Sequence, residues 1–251
     1  MTGLEHQPDD AYFDVMAEQA RSHWWYEGRR ALVREVLTGL AQGVIVDVGC
    51  GTGDNLPLFD RLSGRSSIGF ELSRYAVRRA PTGPHGGTRV GVAVAEQLPV
   101  ASGVADVVTS MDVIEHLDDD VAALREYLRV LRPGGRLLLT VPAYPSLWSE
   151  HDDWAAHRRR YRTASLVAAV TAAGLEVDRT THFNSFLVPP AVALRRTPLR
   201  RLVHGQQDEV GASSPLVGQV MAGLAGVERR WARRLRVPVG LSILALAHRP
   251  R

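Results

Sequence analysis

The stretch Val44-Ile-Val-Asp-Val-Gly-Cys-Gly-Thr-Gly-Asp-Asn55 restricts the folds open to this chain more than any other. Val44 to Val48 is short, β-branched and free of polar alternation, as expected of a parallel strand buried on both faces. Glycines at 49, 51 and 53 follow at once. They give a turn that accepts positive φ and lets a ligand approach bare backbone. Asp54 and Asn55 are residue types that cap a helix starting there. Strand, glycine turn and helix N-terminus in this order form a ligand crevice at the carboxyl end of an α/β sheet. Taken alone the turn also suits a purely structural bend, so the rest of the chain must decide.

Glycine spacing narrows the ligand. A dinucleotide fingerprint G-x-G-x-x-G starting at Gly49 needs glycine at 54, where Asp54 stands. The pattern present is D-x-G-x-G-x-G, Asp47 to Gly53, which resembles motif I of the class I S-adenosylmethionine-dependent methyltransferases. Later elements extend the resemblance. Ser67 to Phe70 reads as a second strand ending at Glu71, roughly twenty residues past the glycine loop, the offset at which a carboxylate meets a ribose. Helix Ser73 to Ala80 stops at Pro81, and 82–87 is loop by composition. Thr88 to Val94 is a third strand and Ala105 to Met111 a fourth. A helix over Asp118 to Leu131 ends at the Leu-Arg-Pro-Gly-Gly turn, and Arg136 to Val141 is a fifth strand. Thr163 to Ala173 is a helix, Leu175 to His182 a sixth strand and Leu241 to His248 a delayed last strand.

The resemblance covers about 29–182 and 241–248. It implies an α/β fold with a Rossmann-like, doubly wound, seven-stranded sheet whose last strand is antiparallel. The expected organisation is an N-terminal helical lid over 1–40, a core over 41–183, a helical insertion over 184–236 and the final strand in 237–251. The cofactor implied is S-adenosyl-L-methionine. Its expected contacts are Arg29, Asp47, Gly49, Cys50, Gly51, Gly53, Glu71, Leu72, Ala95, Glu96 and Met111. In that set the resemblance gives Glu71 the ribose, Leu72 the adenine side and Arg29, in preference to Arg30, the cofactor carboxylate. Related sequences usually carry Gly-Asp-Ala after the third strand, with the Asp on the adenine amino group. Here Val94 stands in that place, so the side-chain contact is absent and the backbone N–H of Ala95 remains for the ring.

The block His23-Trp-Trp-Tyr-Glu-Gly-Arg-Arg30 is read in two ways: an amphipathic helix packing on the sheet, or a lid whose aromatic rings exclude water from the reaction. On the second reading Tyr12, Trp24, Trp25 and Tyr26 face the substrate, joined by Arg160 and Tyr161 from the connection after the fifth strand. Methyl transfer from a sulfonium is an in-line displacement, and an oxygen or nitrogen nucleophile must lose a proton near the transition state. Histidine suits that at neutral pH. His116, at the edge of the fourth strand, is the leading base, with His151 and His157 as the others; a packing or helix-cap role for His116 is the alternative. His151 and Asp152 read as an oriented pair. No metal is expected, because His151, Asp152, Asp153 and His157 lack a diagnostic spacing.

Composition bounds the rest. At 251 residues and 45% hydrophobic the chain can bury one core with an elaboration. The single cysteine excludes an internal disulfide and fits a reducing, cytoplasmic setting. The opening residues lack a signal-sequence pattern, and the apolar run Val237 to Ala247 is interrupted by Pro238 and Gly240. Arginines cluster at 158–160, 195–201 and 229–236, yet no nucleic-acid module accompanies them, so nucleic acid is not expected. With Phe186, Leu187 and Trp231 they suit peripheral contact with an anionic membrane, or a homodimer contact, through the 184–236 insertion. The function expected is O- or N-methylation of a small molecule, a secondary metabolite or glycan-type acceptor. Alternatives are cofactor binding without transfer, aminocarboxypropyl transfer and cyclisation.

Overall fold

A computed structural model describes residues 10–80, 89–196, 215–234 and 237–251. Seven strands build one sheet: β1 (Ile45–Val48), β2 (Ile68–Glu71), β3 (Val90–Val92), β4 (Ala105–Met111), β5 (Leu131–Pro142), β6 (Glu176–Phe183) and β7 (Ser242–His248). Their order is β3-β2-β1-β4-β5-β7-β6. The first five strands are mutually parallel, and β7 runs antiparallel between β5 and β6. This is the expected sheet. A strand that enters antiparallel between two others needs no fixed crossover, so a long insertion can precede it.

Strand alternation divides the core into two layers. Val46, Val48, Val108, Leu137 and Leu139 pack with Leu124, Tyr127, Leu166 and Val170. Those partners lie on α5 (Asp120–Val130) and α7 (Thr163–Ala172). On the other face Ile45, Val107 and Leu138 pack with Leu32, Val33, Leu37 and Phe59. These come from α2 (Trp24–Leu37) and α3 (Leu56–Ser63). Because β1 has β2 on one side and β4 on the other, the chain reverses its winding direction there, and a crevice opens beyond their carboxyl ends.

Several boundaries move for local reasons. The N-terminal segment is two helices, α1 (Asp10–Ser22) and α2, broken at His23, whose Nδ1 accepts the Trp25 N–H at 3.3 Å. Asn55 makes no side-chain cap, and Asp54 instead accepts the Thr52 hydroxyl, so α3 begins at Leu56 without the expected caps. Helix α4 (Arg74–Arg79) is capped by Ser73. Helix α5 starts two residues later than expected, because the Asp119 carboxylate accepts the Ala122 N–H at 2.9 Å. Leu131 leaves the helix for β5, and β3 is shorter than expected. A short helix, α6 (Glu150–Trp154), forms in the connection after β5.

In the insertion, α8 (Val188–Arg196) follows a single 3-10 turn, and α9 (Pro215–Arg234) packs against α2 and β6. Gly28 faces Ala225, Arg229 pairs with Glu35 at 2.8 Å, and the Glu228 carboxylate accepts the N–H groups of Asn184 and Ser185. Helix α9 therefore backs α2 from outside. The loop over 82–87, the run 197–201 and the helix end at 235–236 lie outside the described residues. Among the described residues no helix is long and apolar enough to cross a membrane.

Candidate functional site

The glycine turn is anchored from below by β2: the N–H groups of Gly49 and Cys50 both donate to the Phe70 carbonyl, at 2.7 and 3.1 Å. Gly49 has φ of 67°, and a Cβ there would fall inside the Val113 side chain. Around Gly51 the space is open, so this part of the turn presents bare backbone to the crevice. Cys50 is buried and fills the space above Gly69, and burial pushes its thiol pKa up. It packs the turn and is not a reactive thiol. Asp47 is also buried, beneath the turn, and accepts the Thr109 hydroxyl at 2.6 Å through Oδ1. Burial raises its pKa to about 7, and its Oδ2 has no protein partner.

Glu71 closes the crevice on the β2 side. Its Oε2 accepts the Gly51 N–H at 3.0 Å and its Oε1 the Ser73 N–H at 2.9 Å. Each carboxylate oxygen keeps a lone pair, so the group can still accept from two vicinal hydroxyls. Leu72 lies beside it half-buried, Ala95 is buried, and Glu96 and Val94 are exposed on the far rim. Met111 is buried at the end of β4. A bare turn, a fixed carboxylate and an apolar rim together fit a nucleoside with an amino-acid arm.

Across the crevice stands a polar cluster. Asp112 has the left-handed φ of 55°, unusual for a non-glycine residue. It is held there by Thr140, whose hydroxyl donates to Oδ1 at 3.0 Å, and by an ion pair with Arg29. Arg29 is buried, sits 5.2 Å from the Tyr26 ring and leaves its Nε without a protein partner. Arg29, expected on the cofactor carboxylate, is thus already paired with Asp112 and offers Nε as its unpaired donor. Burial raises the pKa of both Tyr12 and Tyr26, whose charges couple to each other and to Asp112. Tyr12 packs edge-on against Trp154 at 4.9 Å, bringing α1 over the connection after β5. Trp24 is instead buried at the α2–α9 side against Phe186, and Trp25 contacts Trp24. The aromatic block therefore splits: Tyr12 and Tyr26 reach the cluster, while Trp24 fills the framework.

The second half of the cluster corrects the sequence reading. Asp152 was paired with His151, but α6 turns it toward later residues. It accepts from His157 Nδ1 at 2.8 Å and from Arg160 at 2.6 and 2.8 Å. Adjacent residues on a helix diverge, whereas 152 and 157 meet across its end. Burial opposes the Asp152 charge, but the bonds from His157 and Arg160 outweigh it and hold the carboxyl well below its usual range. Arg160 and Tyr161, expected at the substrate, are framework groups: Arg160 is buried on Asp152, and the Tyr161 hydroxyl donates to Asp120 at 2.6 Å. His151 lies 5.9 Å from the Trp154 ring.

His116 stands where expected, after β4, with its ring 4.7 Å from that of His157. Burial lowers its pKa to about 4, so the imidazole is neutral at physiological pH. Its Nδ1 has no protein partner. Glu115 is fully buried with both carboxylate oxygens unpartnered, and burial followed by the Asp112 charge pushes its pKa well up. The sequence reading assigned no role to Glu115 and gave Asp152 the wrong partner, His151 in place of His157 and Arg160. Nothing local marked Glu115, and the partners of Asp152 lie five and eight residues further along the chain.

Residues 46–139 match the family profile described as a methyltransferase domain. A probable S-adenosylmethionine-dependent methyltransferase of Mycolicibacterium smegmatis is 26% identical over 92% of this chain and 91% of its own length. Among solved structures, a Haloferax volcanii methyltransferase in complex with the Trm112 activator superposes with a TM-score of 0.65 at 22% identity, covering 96% of both chains. Phosphoethanolamine N-methyltransferase 2 of Haemonchus contortus, solved with S-adenosyl-L-methionine, gives 0.64 at 16% identity, over 97% of this chain and 58% of that one. At these identities the structural likeness establishes the fold.

Proposed function

We propose that this chain acts as a class I S-adenosylmethionine-dependent methyltransferase and methylates an oxygen or nitrogen atom of a small molecule in the crevice between the glycine turn and the Asp112–His116 edge. The observation that carries the proposal is the opposition of two finished surfaces. On one side Gly51 and Glu71 present bare backbone and a carboxylate with spare lone pairs. On the other, Tyr12, Tyr26, Asp112 and His116 bring polar atoms to the same edge.

In this reading Glu71 takes the ribose hydroxyls, Leu72, Ala95 and Glu96 border the adenine, and the Gly49–Gly53 backbone carries the amino-acid arm toward Arg29. The bound cofactor supplies a sulfonium methyl, and the chain's own residues align the acceptor with it and keep water out. His116 Nδ1 takes the acceptor's proton, its lone pair free across the neutral range. Replacing His116 by glutamine is expected to lower kcat by about 10²- to 10⁴-fold while S-adenosylmethionine affinity holds. A kcat within a few-fold of wild type would remove the base assignment. The alternatives, aminocarboxypropyl transfer and cyclisation, are separated by the mass of the product.

Val220, Leu224 and Val227 form an exposed apolar stripe on α9. The stripe supports the insertion as a contact surface, for an anionic membrane or a second copy, and the lone buried thiol suits a cytoplasmic setting. Flotation with anionic liposomes and a sedimentation profile test this directly: Val220→Glu with Leu224→Glu abolishes whichever association the wild type shows, and a wild type that neither floats nor dimerises retires the reading.

A further inference from the structure

Glu115 and His116 are adjacent on the 3-10 turn after β4, and His157 arrives from the end of α6. Each contributes one ligating atom, and these atoms all lie within 4.8 Å of one another. Three of the side-chain polar atoms that remain buried without a hydrogen bond meet here: both oxygens of Glu115 and Nδ1 of His116. A buried carboxylate with no donor costs several kcal/mol unless it is neutralised or paired. Arg29 and Arg160, the two buried cations whose charges reach Glu115, are already committed to Asp112 and Asp152.

The surroundings fix the ligand atoms as well as their number. The other ring nitrogen of His116 is engaged by backbone at Ala155 and Ala156, which leaves Nδ1 as the bare lone pair. Asp152 takes Nδ1 of His157 and leaves Nε2. A carboxylate on the far nitrogen of a histidine is the arrangement that orients and strengthens a metal-bound imidazole. Asp152 is in turn fixed by Arg160, so the orienting group is itself immobile. Glu115 is fully buried and His116 and His157 are partly buried, giving a site with three protein ligands.

We propose that Glu115, His116 and His157 form a binding site for one divalent first-row transition ion, with Asp152 orienting His157. Two imidazoles and one carboxylate match the donor preferences of zinc, ferrous iron and cobalt, and are poor for magnesium or calcium, which take oxygen ligands. The sequence hid the site because its ligands are split between 115–116 and 157 and only the fold joins them. The Nδ1 lone pair that holds the ion is the one read above as the proton acceptor. Loading and that role exclude each other, so Zn²⁺ is expected to suppress turnover in proportion to occupancy. Ion binding itself is independent of the acceptor chemistry and is measured without turnover.

The test uses untagged, chelator-stripped protein titrated with Zn²⁺ by calorimetry and with Co²⁺ by visible absorption. One ion per chain is expected. Glu115→Gln and His157→Gln should each weaken it by ~100-fold or more, while S-adenosylhomocysteine affinity stays unchanged as the check on folding. The ion-free Glu115→Gln variant should melt above ion-free wild type, because a buried unpaired carboxylate has gone, and only wild type should gain melting temperature with Zn²⁺. Absence of saturable binding below ~100 μM, or equally tight binding in both variants, overturns the site. If either variant loses S-adenosylhomocysteine binding, the wild-type Co²⁺ spectrum decides: intense bands of a low-coordinate nitrogen and oxygen site support it, and a weak octahedral spectrum refutes it.

Discussion

Glu71→Ala is expected to weaken S-adenosylmethionine binding by at least ~100-fold, the largest single effect on the cofactor that any substitution in this chain should have. The magnitude follows from two functions of one carboxylate. Toward the protein, its oxygens hold the N–H groups of Gly51 and Ser73 and so fix the glycine turn against the end of β2. Toward the crevice, on the proposed reading, its remaining lone pairs take two ribose hydroxyls, and hydrogen bonds to a charged group are worth about 1.5–3 kcal/mol each. Glu71→Gln separates the two. The amide keeps one acceptor, so it should lose part of the affinity while retaining the fold. Isothermal titration of both variants, with melting curves alongside, reads the series directly. An alanine variant that binds like wild type would place the nucleoside elsewhere.

The second large effect is on stability. Asp152 is fully buried and carries two bonds to Arg160 and one to His157. Asp152→Ala leaves a buried guanidinium without its counter-charge, which costs about 3–5 kcal/mol. For a chain of this size that corresponds to a fall in melting temperature of roughly 6–20 °C. Replacing Arg160 as well, as Asp152→Ala with Arg160→Met, removes the stranded charge and should recover much of the loss, since an apolar pair can substitute for a buried ion pair. A single variant within ~1 kcal/mol of wild type, or a double variant no better than the single, would contradict the assigned role.

These two residues also mark how far the sequence alone could be read. The place of Glu71 at the end of β2, against the glycine turn, was legible because it is local and ordinal: a strand, a glycine turn and an acidic residue at a set offset. The same holds for the sheet, whose strands announce themselves as short apolar runs between glycine and proline breaks, and for His116 at the end of β4. Asp152 was not legible in the same way. Its nearest histidine in sequence is His151, yet the partner chosen by α6 is His157, because helix geometry separates neighbours and joins residues across the helix end. Arg160 and Tyr161 misled for a related reason: composition shows that they are cationic and aromatic, but only the packing shows that Asp152 and Asp120 already hold them. The position of α9 outside α2 is marked by Arg229 on Glu35 and by Glu228 under Asn184 and Ser185, partners with no sequence pattern that points from one to the other.

The central claim is that S-adenosylmethionine lies across the glycine turn with its sulfur facing the Asp112–His116 edge. A crystal structure with S-adenosylhomocysteine tests it most directly. The expected result is ribose hydroxyls on Glu71, the amino-acid arm along Gly49 to Gly53, and the sulfur opening toward Tyr12, Tyr26 and His116. A nucleoside seated elsewhere contradicts it, most pointedly in the arginine-lined cavity of about 390 Å³ between α2, α3 and α9.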